Sequence, residues 1–229
     1  MNGNDAAQTT SAVGELAALI AGLEDKLAGW AESASCWLDS QGKVTGTAVD
    51  KFIRPAVEAF LHEPGSLLAG AGFVAAAGLL GAERSYIAWW QGEDMERVDA
   101  LANFSPQSMS RYVKAEWFKV PMATGLPHVT GPYIDLLCTD EYVLTFTHPI
   151  VKDGVLAGVV GMDVTAQMLE RTALHILREI APHAVLVNAE GRSIVCAGAD
   201  VDAGDVVSLA DGAQEFPVGR QFRILSATA

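Results

Sequence analysis

The sequence is poor in the residues that usually announce chemistry. Its three cysteines, Cys36, Cys138 and Cys196, are far apart, odd in number and form no CxxC pair. That excludes a disulfide framework and leaves three scattered small hydrophobes, as expected in a reducing compartment. Positive charge is also scarce: 15 Lys and Arg stand against 28 Asp and Glu, for a formal net charge of −13. A surface of that sign repels nucleic-acid phosphates and an anionic membrane face, so neither is expected as a partner. His62, His128, His148, His175 and His183 are dispersed, and none pairs with a second His, Cys or carboxylate at metal-ligand spacing. There is no GxSxG elbow, no GxxxxGK[ST] loop, no GxGxxG and no HExxH. No metal and no cofactor are expected. Gly154, Gly158 and Gly161 fall inside a strand pattern rather than at a strand-to-helix turn, which points to close packing over that strand.

No targeting signal is expected either. The opening MNGNDAAQTTSAVGEL has no basic region ahead of an apolar run, so it does not read as a secretory signal. One uncharged run, Gly65 to Ala82, is long enough to raise the question of a membrane span. It carries five glycines, lacks Lys or Arg at its margins, and lies between Glu63-Pro64 and Glu83. A Gly-rich turn feeding a buried strand fits it better. The expectation is a soluble, cytoplasmic chain.

What is present is half a chain of hydrophobic residues in 229, enough for one core with a smaller appended unit. Residues 1–10 are polar and expected to fray. From Val13, the positions Leu16, Leu19, Ile20, Leu23, Leu27, Trp30 and Ala34 recur at helical spacing to about Leu38. A second helix is predicted over Thr47–Leu61, stopped by His62-Glu63-Pro64-Gly65. The period then changes: Phe73–Leu80 and Ser85–Gln91 read as a hairpin, and 92–106 as acidic and irregular. Gln107–Lys119 reads as a helix closed by Pro121, and 122–132 as a long loop. Tyr133–Cys138, Tyr142–Lys152 and Val155–Val164 form a predicted antiparallel meander, with Asp153-Gly154 as a tight turn. A helix over Thr165–Ile180 follows, then a hairpin of Ala184–Asn188 and Arg192–Ala197, an acidic loop over Asp200–Ala213, and a last strand at Arg220–Ser226. The expected class is α+β: a long N-terminal helix, a PAS-like five-stranded antiparallel sheet covered on one face by helix and loop, and a smaller strand-rich C-terminal part. The corresponding divisions are an N-terminal helical segment (11–66), a ligand-binding module (67–180) and a short C-terminal subdomain (181–229).

One stretch, Arg111 to Val164, mixes rings and lone carboxylates among core residues. Tyr133 and Asp135 are two apart on a predicted strand and share a face. Asp163 stands near the end of the last meander strand, on the face of Gly161 and Val159. Trp117 and Phe118 belong to the segment that must cross the sheet. Tyr112 and, by alternation, one of Trp89 and Trp90 add to the lining; Trp89 is the candidate. A cavity with two carboxylates and several rings suits an ammonium group: about 4 kcal/mol per carboxylate at roughly 4 Å and an effective dielectric near 20, and about 1 kcal/mol more from ring faces. Plainer readings stay open. Asp163 precedes Thr165 and a helix, so it could be an N-cap. Asp135 could be an exposed edge residue, and Trp117, Phe118, Trp89 and Trp90 core aromatics.

These residues, in this order, carry a resemblance. The Trp117-Phe118 pair, the Tyr133-x-Asp135 strand, the strand YVLTFTHPI and the close GVVGMD before a helix resemble the ligand-binding module of Cache domains. Those are PAS-like sensors of chemoreceptors and histidine kinases, and the likeness covers roughly Phe73 to Arg178. The long N-terminal helix and strand-rich tail look like the double-Cache plan with its second module cut short. In amino-acid-sensing members the pattern is R-x-W-[YF], then Y-x-D, then a later Asp; the Arg holds the ligand carboxylate and the aspartates its ammonium. Trp117, Phe118, Tyr133, Asp135 and Asp163 match by position, but Ala115 stands where the Arg belongs. Lys114 and Arg111 are near it without matching. The resemblance therefore implies an amine, or an amino acid held differently.

Typical members are flanked by transmembrane helices and joined to a signalling module. The expectation is a stand-alone version, signalling through a regulatory protein partner or a homodimer along the N-terminal helix. A non-enzymatic small-molecule sensor is the leading reading. The alternatives are an enzyme using Asp135 and Asp163, with His128 as a third candidate, as acid and base under a 122–132 lid, or an interaction scaffold with a vestigial pocket.

Overall fold

In the computed structural model, residues 3–98, 100–134, 141–208 and 213–226 are described. The chain divides into two compact units. One comprises Asp25–Thr130 and Thr145–Val164, and is called the sheet unit below; the other comprises Met1–Glu24, Gly131–Leu144 and Thr165–Ala229, the tail unit.

The N-terminal helix α1 runs from Gly3 to Ser40, well ahead of the expected start at Val13. Thr9 and Ala12 are already buried, so the stripe that continues through Leu16, Ile20, Leu27, Trp30, Ala34 and Leu38 begins earlier than the polar opening suggests. Helix α2 (Gly46–Leu61) starts at Thr45, whose hydroxyl accepts from the Ala48 amide, and buries Val49, Ile53 and Val57. In the sheet unit α1 and α2 are joined by rings: Trp37 stacks on Phe52 at 4.4 Å and Trp30 meets Phe60 edge-on at 5.2 Å.

The large sheet has six strands in the order β3-β2-β1-β6-β5-β4. Their spans are β1 Leu68–Ala75, β2 Tyr86–Gln91, β3 Glu96–Arg97, β4 His128–Ile134, β5 Tyr142–Lys152 and β6 Val155–Thr165. The run Gly65–Ala82 is indeed a turn feeding a strand, and among the described residues no helix is long and apolar enough to cross a membrane. β1 pairs antiparallel with β2 on one side and β6 on the other, which brings the first and last strands of the module together. The sixth strand is the two-residue β3, inside the stretch read as irregular; Arg97 pairs with Trp90 there.

Two further differences bear on the site. The segment 107–119 is two helices, α3 (Pro106–Lys114) and α4 (Glu116–Thr124), broken at Ala115 rather than closed by Pro121. Ala115 takes an extended conformation (φ −63°, ψ 149°), ending α3 and opening α4 at once. Pro121 sits inside α4, and the stop is Gly125 in the left-handed region (φ 68°), where only glycine is comfortable. The expected 122–132 loop is shorter, because β4 begins at His128. The predicted strand to Cys138 and turn at Thr139-Asp140 fall on 135–140, outside the described residues.

In the tail unit, α5 (Ala166–Ile180) buries Leu169, Ala173, Ile176 and Leu177. A four-stranded antiparallel sheet has the order β8-β7-β10-β9, with β7 Val185–Asn188, β8 Ser193–Cys196, β9 Gln214–Val218 and β10 Phe222–Ser226. Asn188 shapes the β7–β8 turn by accepting from the amides of Glu190 and Arg192. β9 has no sequence signal: Pro217 interrupts it, and the strand is tolerated because it lies at the sheet edge.

Candidate functional site

The site is built on one face of the large sheet within the sheet unit. Its floor is backbone. Gly72 of β1 is the register partner of both Trp89 on β2 and Gly161 on β6. A Cβ on Gly72 would meet Ala88 O and Trp89 Cα at 2.4 and 2.6 Å, and one on Gly161 would meet the far edge of the Trp89 indole at 2.8 Å. The missing side chains let the indole lie down across three strands. Its Nε1 end rests over Gly70, the register partner of Asp163.

Helices α3 and α4 bring the remaining rings to this one. Trp117 lies 6.1 Å from Trp89, 6.4 Å from Tyr112 and 6.3 Å from Phe118, the last edge-on at 88°. Tyr112 and Phe118 are buried, while Trp117 is half-buried between them and Trp89. The elbow at Ala115 makes this arrangement: its carbonyl accepts the amides of Phe118 and Lys119, starting a new helix directly before Trp117.

Asp163 is half-buried on the same face, two residues from Gly161. Its Oδ1 accepts from the Thr145 hydroxyl at 2.7 Å. The helix after β6 is capped instead by Thr165, whose hydroxyl accepts from the Met168 amide, so the N-cap reading of Asp163 does not hold. Thr145 and Thr147, two apart on β5, are both buried polar residues of this face. Neither was singled out in the sequence, although T-x-T alternation beside a carboxylate strand was its visible trace. Thr147 donates to the His128 carbonyl at 3.0 Å, and His128 Nε2 lies 3.0 Å from the Glu116 carboxylate next to Trp117.

The structure therefore brings together Trp89, Tyr112, Trp117, Phe118 and Asp163. Tyr133 is half-buried on β4 in the tail unit, and Asp135 lies outside the described residues. Trp90 points to the other face, where Arg97 covers its ring at 4.5 Å. Arg97 also pairs with Asp50 of α2 at 2.8 Å and donates to Ile87 O, while Tyr86 donates to Asp50 at 2.9 Å. Burial, first, and then the Asp50 carboxylate beside it push the Tyr86 phenol above its ordinary value of 10.0, against the opposing pull of Arg97. Arg111 and Lys114, the cations that precede Ala115, are exposed on α3, and Lys114 lines a separate groove of about 560 Å³ with Phe104 and Met109. Among the described residues no group of three His, Cys, Asp or Glu is arranged to hold a metal ion.

Residues 84–171 match the family described as methyl-accepting chemotaxis protein-like, first PDC sensor domain. No curated protein matches the chain. Among solved structures, the chain is similar to the ligand-binding domain of the Pseudomonas aeruginosa amino-acid chemoreceptor PctC in complex with GABA: TM-score 0.62, 16% identity, 96% of this chain and 95% of that one. The ligand-binding domain of PctB from the same organism, in complex with L-Arg, gives TM-score 0.55, 19% identity and 95% and 83% coverage. An extracellular ligand-binding receptor from Desulfohalobium retbaense gives TM-score 0.61 at 13% identity, over 98% of this chain and 40% of that one. The fold is that of Cache, or PDC, ligand-binding domains, and residues 84–171 carry the sensor-domain pattern.

Proposed function

We propose that the chain is a non-enzymatic sensory domain that binds a small amine or amino acid on this face of the sheet unit. The observation that carries the reading is Asp163, held by Thr145 on the same face as the Trp89–Trp117–Tyr112 ring cluster. A carboxylate fixed in a partly dehydrated ring-lined site favours an ammonium group on electrostatic grounds. The chemoreceptor domains of similar fold were solved with ligands that carry an amino group, GABA and L-Arg, which supports the same ligand class. The family resemblance adds Asp135 as a proposed second carboxylate and Tyr133 as a proposed further ring. Ala115 leaves any ligand carboxylate without the guanidinium that the family pattern supplies. The signal would pass to a regulatory protein or through a homodimer; the cytoplasmic setting expected from the sequence has no counterpart in the comparisons.

The test is a thermal-shift screen with GABA, L-arginine, butylamine and the matching amine-free acid, butyrate. At least one amine is expected to raise the melting temperature saturably, with butyrate inert. Asp163→Asn is expected to weaken that amine about 100-fold, since breaking a buried charge pair costs several kcal/mol. Butyrate binding alone, or unaltered affinity in the Asp163 variant, would overturn the ammonium site. Mass spectrometry of the incubated mixture checks that the ligand is returned unchanged.

A further inference from the structure

We infer that Thr130 is a second ligand-contacting residue of this face, and that it holds a neutral polar group at the end of the ligand away from Asp163. The inference rests on the amine reading above. Thr130 lies on β4 and is 8% exposed, yet among the described residues its hydroxyl has no hydrogen-bond partner. Buried polar groups are nearly always paired, so an orphan hydroxyl in a folded chain calls for an explanation. The other threonines nearby have theirs: Thr145 donates to Asp163 and Thr147 to the His128 carbonyl.

Register fixes the direction in which Thr130 looks. The Thr147–His128 bond holds those two residues next to each other on neighbouring strands. A Cβ on Gly131 would lie 2.4 Å from Val143 O and 3.3 Å from Leu144 Cα. That is the same relation that Gly72 has to Ala88 O and its register partner Trp89, so Gly131 stands opposite Leu144. Both constraints place Thr130 opposite Thr145, and opposed residues of a strand pair share a face. The face thus reads Thr130, Thr145, Asp163 across three adjacent strands. At a strand spacing of about 4.8 Å, the outer two are separated by about 10 Å of backbone. An ammonium at Asp163 and a polar group a few bonds away reach both.

The charge of that second group follows from the surroundings. Thr130 offers a hydroxyl, which both donates and accepts, and the charged groups that border this face include the Asp163 carboxylate and the Glu116 carboxylate beside His128. A second carboxylate on the ligand would face them; an amide or hydroxyl would not. The ligand class is therefore an amine with a neutral hydrogen-bonding end.

The experiment is calorimetric titration of the parent chain, Thr130→Val and Thr130→Ser with 4-aminobutanamide and with butylamine, which lacks the polar end. The parent is expected to prefer the amide about tenfold, the worth of one good hydrogen bond. Thr130→Val is expected to bring the two within about twofold while keeping butylamine affinity, and Thr130→Ser to restore the preference. A preference unchanged in Thr130→Val overturns the inference and leaves the amine reading intact. Failure of the parent to bind either amine overturns the amine reading itself, and this inference with it. Melting of the ligand-free chains gives an independent readout. Thr130→Val should melt at or above the parent temperature, since it removes an unpaired buried hydroxyl, and a clear fall would show that the hydroxyl is used internally and sink the inference.

Discussion

Trp89 and Trp90 are neighbours on one strand, equally buried, and lead opposite lives. Trp90 faces α2, where Arg97 stacks on it, Asp50 neutralises Arg97, and Tyr86 bonds Asp50. That face turns its polar groups toward one another. Trp89 lies on a floor of bare backbone, meets Trp117 from a separate helix, and shares its face with a pinned carboxylate and an orphan hydroxyl. There Thr145 holds Asp163 and Thr147 bonds the His128 carbonyl, while the Thr130 hydroxyl finds no partner among the described residues. Alternation along a strand sends adjacent residues to opposite faces, so one dipeptide serves a structural and a receptive surface at once.

The contrast can be broken most forcefully on the structural side. Trp90→Ala removes a large buried side chain together with the seat of Arg97, and is expected to cost about 3–5 kcal/mol in urea unfolding. Trp117→Ala, half-buried, should cost far less stability while abolishing the amine-induced thermal shift. Equal losses in the two variants would erase the distinction between the faces. Next comes the floor: Gly72→Ala is expected to cost about 2–3 kcal/mol, because its methyl would strike strand backbone rather than a mobile side-chain tip. It should also disturb the near-ultraviolet dichroism of the tryptophans, and a silent spectrum would mean that Trp89 does not depend on the glycine.

The smallest effect is a pH signature. The folded Tyr86 phenol titrates above 10.0, so its contribution to stability is complete below pH 10 and is lost as pH rises through the folded value. Unfolding measured between pH 9 and 11 should show that decline, and Tyr86→Phe should flatten it, with a cost below about 1.5 kcal/mol at neutral pH for the lost bond to Asp50.

Much of this was legible from the residues. Helical spacing gave α1 and α2, and the Asp153-Gly154 turn gave the β5–β6 hairpin, because local patterning decides those elements. Strand alternation implied that Trp89 and Trp90 face opposite ways, without saying which of them joins the other rings. What escaped was decided by non-local partners. β3 exists because Glu96 and Arg97 find β2, and β9 because β10 offers an edge to a segment carrying Pro217. The helix break at Ala115 carries no Gly or Pro, so nothing in the string marks it. The pinning of Asp163 by Thr145 joins residues 18 apart and needs the register of β5 against β6, and the sequence offered the N-cap as a local alternative. The residues that resemble the Cache pattern were visible by order alone; the glycine floor and the silent hydroxyl required coordinates.

The pairing of Trp89 with Trp117 has an optical consequence. Two indoles with centroids 6.1 Å apart and planes inclined at 43° are close and oblique enough for their excited states to mix. Such a pair gives an exciton couplet in circular dichroism whose sign and size depend on the angle between the rings. One ring belongs to the sheet and the other to α4, so any small rotation of the helix over the sheet is written directly into that spectrum, with no label attached.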